Sequence, residues 1–294
     1  MAKIAVELDR ALSHRREHGE PGHTTPRILA RGNGWTVADV VCTAGPQDRP
    51  FEERHDRYVI AVVLAGTFQH RSPLGRGLLT PGSLMLGNPG HSFQCGHEHG
   101  EGDRCMSFWY EPQYFEQLAG DAGVRRAPKG FRLSHLPALR QLSPLVAHAG
   151  VGAIGSLDVS WEELGVILAA RAMQLGGERW ERPALPSNAE ARITGAVRTI
   201  DRQPEAELTL DALARDAGLS RYHFLRTFEH LTGVTPHQYV RRARLREAAL
   251  RLVAEPGTVL DIALDCGFGD VSNFNRAFRT EFGMSPRAYR AHLR

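Results

Sequence analysis

Only four cysteines, Cys42, Cys95, Cys105 and Cys266, occur in the 294-residue chain. They are too few and too scattered to knit a secreted disulfide framework. No stretch approaches the roughly 18 consecutive apolar residues that a membrane span needs. The opening MAKIAVELDRALSHRREHGE lacks the apolar segment of a secretory signal. Also missing are a glycine-rich loop closed by lysine, which would cradle a phosphate, and a nucleophile–base pair. These absences direct the expectation to a cytoplasmic protein that is not an enzyme and has no membrane partner. Net charge is small as well, Lys+Arg 36 against Asp+Glu 33, and does not by itself announce a nucleic-acid binder.

What charge there is sits unevenly. Between residues 221 and 251, Arg221, Arg226, Arg241, Arg242, Arg244, Arg246 and Arg251 face only Glu229 and Glu247. From residue 276 onward, Arg276, Arg279, Arg287, Arg290 and Arg294 face only Glu281. Arginine clustered at one end suits phosphate, although a solvated basic helix would read the same way.

At roughly one domain per 150 residues the length predicts two domains. Residues 1–30 are polar and rich in Arg, His and Gly, and are expected to be poorly ordered. WTVADVVC, RYVIAVVLAGTFQHR, GSLMLG, HSFQC and RCMSFWY are β-branched or aromatic runs separated by turn residues, so the stretch from Trp35 to about Tyr110 predicts a small β-barrel or sandwich. PQYFEQLAG, LPALRQLSPLVAHAG and SWEELGVILAARAMQL carry helical spacing. In the last of these Leu164, Ile167, Leu168 and Leu175 form a stripe that either covers the domain's own core or pairs two subunits. GGERWERPALPSN then reads as a hinge, separating a domain over 31–180 from an all-helical one over 187–294. The fold class is α+β.

The last third repeats itself. ARDAGLSRYHFLRTFEHLTGVTPHQY and ALDCGFGDVSNFNRAFRTEFGMSPRAY share matching residue types in order at an offset of about fifty. Gly218 pairs with Gly267, Phe224 with Phe274, Arg226 with Arg276, Gly233 with Gly283 and Pro236 with Pro286. Such a repeat implies duplicated supersecondary units. Each copy reads as helix, tight turn at Gly218 or Gly267, second helix, which is the helix-turn-helix signature. Ser220 is placed to cap the second helix of the first copy, and Thr258 with Asp261 forms a capping box in the second. Phe224, Phe228 and Leu231 share an inward face, as do Phe274, Phe278 and Phe282. Tyr222, Leu225 and Arg226, and their counterparts Ser272, Asn275, Arg276 and Arg279, point outward. Arg and Asn are the side chains that bond bidentately to guanine and adenine edges in the major groove.

On these residues, together with Ala263, Phe268, Ser285, Tyr289 and Arg290, the stretch from Leu208 to Arg290 resembles the tandem DNA-binding domain of AraC/XylS-type transcription regulators. The resemblance implies that Arg221, Tyr222, Leu225 and Arg226 belong to one recognition helix and Val271, Ser272, Asn275 and Arg276 to the other. A helix from Pro236 to Val253 would join the two units. Leu225 stands where a polar residue is expected, which favours contact with a thymine methyl. Arg241 and Arg244, with Arg242 and Arg246, are expected on phosphates. The β-rich half resembles the cupin-like sensor barrel of the same regulators, with TPGSLMLGNPGH similar to the second cupin motif. The metal-binding HxH of a catalytic cupin is not in its usual place, which leaves a cupin enzyme as the least favoured reading. The expected partners are double-stranded DNA, RNA polymerase, a small effector and a second copy of the chain.

One constellation concerns the effector. Cys95, His97, His99 and Cys105 fall within HSFQCGHEHGEGDRCMSF, with GEGD as a hairpin turn signal. Two thiolates and two imidazoles suit tetrahedral zinc or another transition metal, and Cys42 and His55 could be brought in by the fold. A thiol pair, Cys95 and Cys105, responding to oxidation is a second reading. A third makes the residues plain structure, with an organic effector inside the barrel and Trp109, Tyr58 and Phe93 around it.

Overall fold

A computed structural model describes residues 3–122, 130–155, 159–176 and 187–293. The expected hinge therefore lies almost wholly outside the described residues. The chain opens with α1 (Lys3–His18), followed by β1 (Thr24–Gly32), β2 (Trp35–Cys42), β3 (Phe51–Arg54), β4 (Tyr58–Gly66), β5 (Phe68–Ser72), β6 (Gly75–Leu79), β7 (Leu84–Gly87), β8 (Ser92–Gly96) and β9 (Asp103–Tyr110). Next come α2 (Pro112–Asp121), β10 (His135–Leu136), α3 (Ser143–Ala153) and α4 (Trp161–Leu175). The remainder is helical: α5 (Ser187–Arg202), α6 (Leu210–Asp216), α7 (Arg221–Thr232), α8 (Pro236–Ala254), α9 (Val259–Asp265), α10 (Val271–Phe282) and α11 (Pro286–Leu293).

Two sheets face each other. One runs β1-β2-β9-β4-β7-β10 and the other β3-β8-β5-β6. Strand β4, YVIAVVLAG, shows why a continuous apolar run is needed at the centre. Successive side chains point to opposite faces, and both faces are covered. Val59, Ala61 and Val63 join the cluster between the sheets with Phe68, Phe93, Cys95 and Cys105. Ile60, Val62 and Leu64 join the cluster beneath the helices with Val146 and Leu168. The stripe on α4 is spent on this second core: Leu164, Leu168 and Leu175 are buried, and of the four only Ile167 remains exposed.

Residues 1–30 depart from expectation. They carry α1 and β1, because Leu8 and Leu12 bury against the sheet and Arg15 pairs with Asp48 at 2.7 Å while donating to the Thr43 carbonyl. Two buried leucines suffice once tertiary packing holds the helix.

In the helical half, α6 and α7 form one helix-turn-helix and α9 and α10 the other. Gly218 and Gly267 take the sharp turns at φ +61° and +81°, a region that L side chains avoid. Ser220 accepts from the His223 amide, and Thr258 with Asp261 completes its capping box. Helix α8 carries both units, as the linking helix expected from Pro236 onward.

Candidate functional site

The two second helices each present an outer face, with Arg226 and Arg276 in equivalent positions. In α7, Phe224 and Phe228 are fully buried while Tyr222 and Arg226 are exposed and Leu225 is half-buried. In α10, Phe274 and Phe278 are fully buried while Ser272, Asn275, Arg276 and Arg279 are exposed and Val271 is half-buried. Both helices are 12 residues long and end on a left-handed glycine, Gly233 and Gly283. Arg226 lies 5.9 Å from the Tyr222 ring centroid, a cation–π contact that keeps the guanidinium on the outer face. Arg221 pairs with Asp211 of α6. These faces can donate to base edges without rearranging the core behind them.

The linking helix corrects three of the four arginines expected on phosphate. Arg244 does not reach outward for phosphate. Its guanidinium donates to the carbonyls of Pro204, Gly267 and Ala206 at 2.7, 2.7 and 2.9 Å, tying the turn of the second unit to the end of α5. Arg242 donates to Ala138 O at 2.6 Å and Arg246 to Asp201 at 3.3 Å, so both also act inside the molecule. Arg241 lines the groove between the units with Leu225 and Asn273. A run of arginines shows charge in the sequence, but its partners come from turns that only the fold brings near.

Between the two sheets lies a cavity of about 730 Å³. Trp109 and Phe93 line it with Val59, Met85 and Cys95. Tyr58, grouped with them in the sequence, instead stacks on Phe115 at 4.1 Å in the core under the helices. His55 stacks on Phe93 at 4.0 Å, and burial lowers its pKa to about 4. His70 is wholly buried, with a pKa lowered to about 3 by burial and then by the neighbouring His135 and His55. Both are neutral imidazoles at physiological pH. The second-motif turn is present: Gly90 has φ +80° and its amide donates to His55 O.

GEGD does not close a hairpin. Strand β8 pairs with β3 and β5, and β9 with β2 and β4, so the segment crosses from one sheet to the other. Both edges of each strand are already taken, which leaves none for mutual pairing. The set Cys95, His97, His99 and Cys105 is accordingly not gathered. Cys95 sits in the interior cluster, while His99 lies in the crossover 3.9 Å from Glu98. Among the described residues, the group of metal-ligating atoms that does converge is Cys42, His97 and Asp103, all buried and within 4.8 Å of one another. Register explains it, since Cys42 stands directly opposite Asp103 on β2 and β9. His97 Nε2 lies 2.8 Å from Asp103 Oδ1, and the Cys105 thiol donates to Asp103 Oδ2 at 3.1 Å. All four cysteines are free thiols. Burial, with Asp103 nearby, pushes Cys42 up to about 12 and raises Cys95 and Cys105 as well. Cys266 is a buried apolar residue beneath the second unit.

The family model described as an AraC-like ligand binding domain matches residues 40–156, and one described as a helix-turn-helix domain matches residues 213–292. The chain belongs to the AraC family. It is a DNA-binding transcription regulator whose N-terminal half is a ligand-binding domain. The transcriptional activator RhaS of Salmonella typhimurium is 29% identical over 259 residues, covering 83% of this chain and 89% of that protein. Among solved structures, an AraC-type regulator from Chromobacterium violaceum is 29% identical over 36% of this chain and 96% of its own, with TM-score 0.34. ToxT from Vibrio cholerae is 15% identical, covering 90% of this chain and 98% of its own, with TM-score 0.34. No described helix is long and apolar enough to cross a membrane.

The two halves of this AraC-family regulator are joined by specific polar contacts. Arg198 of α5 donates to Glu101 O at 2.6 Å and to Thr67 at 3.3 Å. Glu281 of α10 accepts from Ser143 of α3 at 2.5 Å and pairs with Arg242 at 3.3 Å. Sequence reasoning singled out none of Arg198, Glu281 or Asp103 as functional. The first two had no local signal, and Asp103 was hidden inside a turn motif.

Proposed function

We propose that the protein binds double-stranded DNA site-specifically through the outer faces of α7 and α10 and activates transcription from the bound site. The observation that carries this reading is the pair of outward faces at the same place in the two units, exposed Tyr222 and Arg226 with half-buried Leu225 on one helix and exposed Ser272, Asn275, Arg276 and Arg279 on the other. Held by one linking helix, they would enter successive major grooves about 34 Å apart on one side of the duplex. Arg241, near the mouth of the groove between the units, would serve the backbone. Activation follows the printed function of the RhaS relative, and it makes RNA polymerase a further partner, in the cytoplasm. The proposed role involves no catalysis.

The effector enters at the barrel. The cavity is lined by apolar, aromatic and ionisable side chains together, and suits a small molecule with a few polar groups. The linkage to DNA runs through α5 and α10, whose Arg198 and Glu281 touch the N-terminal half. Selection from random duplexes followed by binding measurements tests the core of this reading. Arg276→Ala should weaken binding to the selected site by roughly 1–3 kcal/mol, about 5- to 150-fold, and relax preference at one base pair. An unchanged affinity and footprint would remove α10 from the recognition surface.

A further inference from the structure

We propose that Cys42, His97 and Asp103 form a binding site for a divalent transition-metal ion of the zinc or cobalt type, with Cys105 holding Asp103 in place. The proposal deepens the reading of the N-terminal half as a ligand-binding domain and rests on it. Three side chains from a strand end, a crossover loop and a second strand end bring one sulfur, one imidazole nitrogen and one carboxylate oxygen within 4.8 Å of each other. The ligand atoms of a tetrahedral zinc ion stand roughly 3.3–3.8 Å apart, so the three side chains need shifts of no more than about 1–1.5 Å to seat an ion.

The donor set is selective. A thiolate with an imidazole favours zinc, cobalt and copper over magnesium and calcium, which want oxygen alone. Charge balances too. On binding, the Cys42 thiol releases its proton to solvent as the sulfur–metal bond forms. The resulting thiolate and the Asp103 carboxylate then neutralise the two positive charges of the ion. That matters where all three groups are buried, because net charge in such a place is costly. Two observations show that the cluster is not closed on itself. His97 Nδ1 is buried with no hydrogen-bond partner, and Cys42 and Asp103 both line the barrel cavity. The cavity gives the ion an entry path and leaves a fourth position for water. The Cys105 thiol occupies the other carboxylate oxygen at 3.1 Å, the supporting role that outer partners play around ligating carboxylates.

The placement bears on regulation. His97 and Asp103 bracket the crossover loop whose Glu101 carbonyl accepts from Arg198 of the DNA-binding half. An ion that pins both ends of this loop would be felt at α5.

The test is a cobalt(II) titration of the reduced, tag-free full chain. Uptake should saturate at about one ion per chain, with a near-ultraviolet sulfur-to-cobalt band and the visible bands of a four-coordinate site, displaced by added zinc. Cys42→Ser should abolish the sulfur band, and Cys95→Ser should leave it. His97→Gln should weaken cobalt binding at least tenfold, and Cys105→Ala by about 10–100-fold. Circular dichroism of each variant establishes that it folds. If Cys42→Ser fails to fold, His97→Gln decides. Absence of the band in the wild-type chain overturns the site, as does a band that survives Cys42→Ser or an affinity unmoved by His97→Gln. Binding of the metal-free protein to selected DNA is measured alongside. Specific DNA binding without a cobalt band sinks the metal site alone, and a cobalt band without specific DNA binding sinks the regulator's recognition surface alone.

Discussion

The first helix-turn-helix unit closes its own core, with Phe224 and Phe228 packed against Ile193 and Val197 of α5 and Tyr239 and Val240 at the start of α8. The second does not. Phe274 and Phe278 belong to one continuous cluster with Leu250 and Val253 at the end of α8, Val146 and Ala149 of α3 and the buried face of the barrel sheet. In helix order and buried phenylalanines the units are near copies, but the first has a core of its own while the second shares the core of the ligand-binding half. Polar contacts reinforce the asymmetry, since Glu281 of the second unit is bonded from Ser143 and Arg242. The two units keep the same buried phenylalanines, Phe224 and Phe228 in one and Phe274 and Phe278 in the other, while what packs behind them differs. A change in the barrel would therefore reach the second unit through a shared core, and the first through Arg198 and the packing of α7 on β6.

The largest expected effect separates the two cores. Phe278→Ala and Phe228→Ala should each cost about 3–5 kcal/mol. In calorimetry Phe278→Ala should lower melting of the barrel along with its own unit, whereas Phe228→Ala should leave barrel melting in place. Equal shifts of all transitions by both variants would break the distinction.

Acid should pull the two halves in opposite directions. His55 and His70 in the barrel have folded pKa values lowered from 6.5 to about 4 and about 3 by burial. The unfolded chain then binds more protons than the native one below pH 6.5. Barrel stability is fully present above that pH and is lost as pH falls toward 4, by roughly 3 kcal/mol per histidine. Asp201, beside Tyr239 and Arg246 in the DNA-binding half, is raised by burial from 3.8 to about 6. Its contribution has the reverse sign: stability is greatest below pH 3.8 and declines as pH rises through 6. Melting followed by separate fluorescence probes in each half should show the barrel failing first on acidification. His70→Asn should flatten its slope, and Asp201→Asn should flatten the opposite one.

The smallest effect sharpens the likeness. Ser220 and Asp270 cap the two recognition helices through the His223 and Asn273 amides. Ser220→Ala and Asp270→Ala should each cost about 1 kcal/mol in thermal stability. A difference between them much beyond that would mean the DNA-facing ends are not built alike.

The DNA-binding half was largely legible because its signals are local. Gly218 and Gly267, the capping residues and the Phe spacing each act within a few residues, and the repeat supplied an internal check. The paired sheets were legible from β-branched runs. What escaped depended on partners far away in the chain. The helix over Lys3–His18 is stabilised by two leucines against a sheet that forms later in the sequence. Arg244 looked like a phosphate ligand until three distant carbonyls claimed it. The convergence of Cys42 with Asp103 depends on strand register, which no spacing within HSFQCGHEHGEGDRCMSF encodes, and GEGD imitates a hairpin while serving as a crossover.

Helix α8 has 19 residues, about 28 Å of unbroken α-helix, and each end is embedded in a different core. It therefore behaves as a screw of fixed pitch between the units. Removing a single residue from its middle would shorten it by only about 1.5 Å but rotate one unit against the other by about 100°. The angular phase of the two recognition helices is thus far more sensitive to this segment than their separation. If both helices read DNA as proposed, the operator would hold its two half-sites in a phase written into the length of one helix.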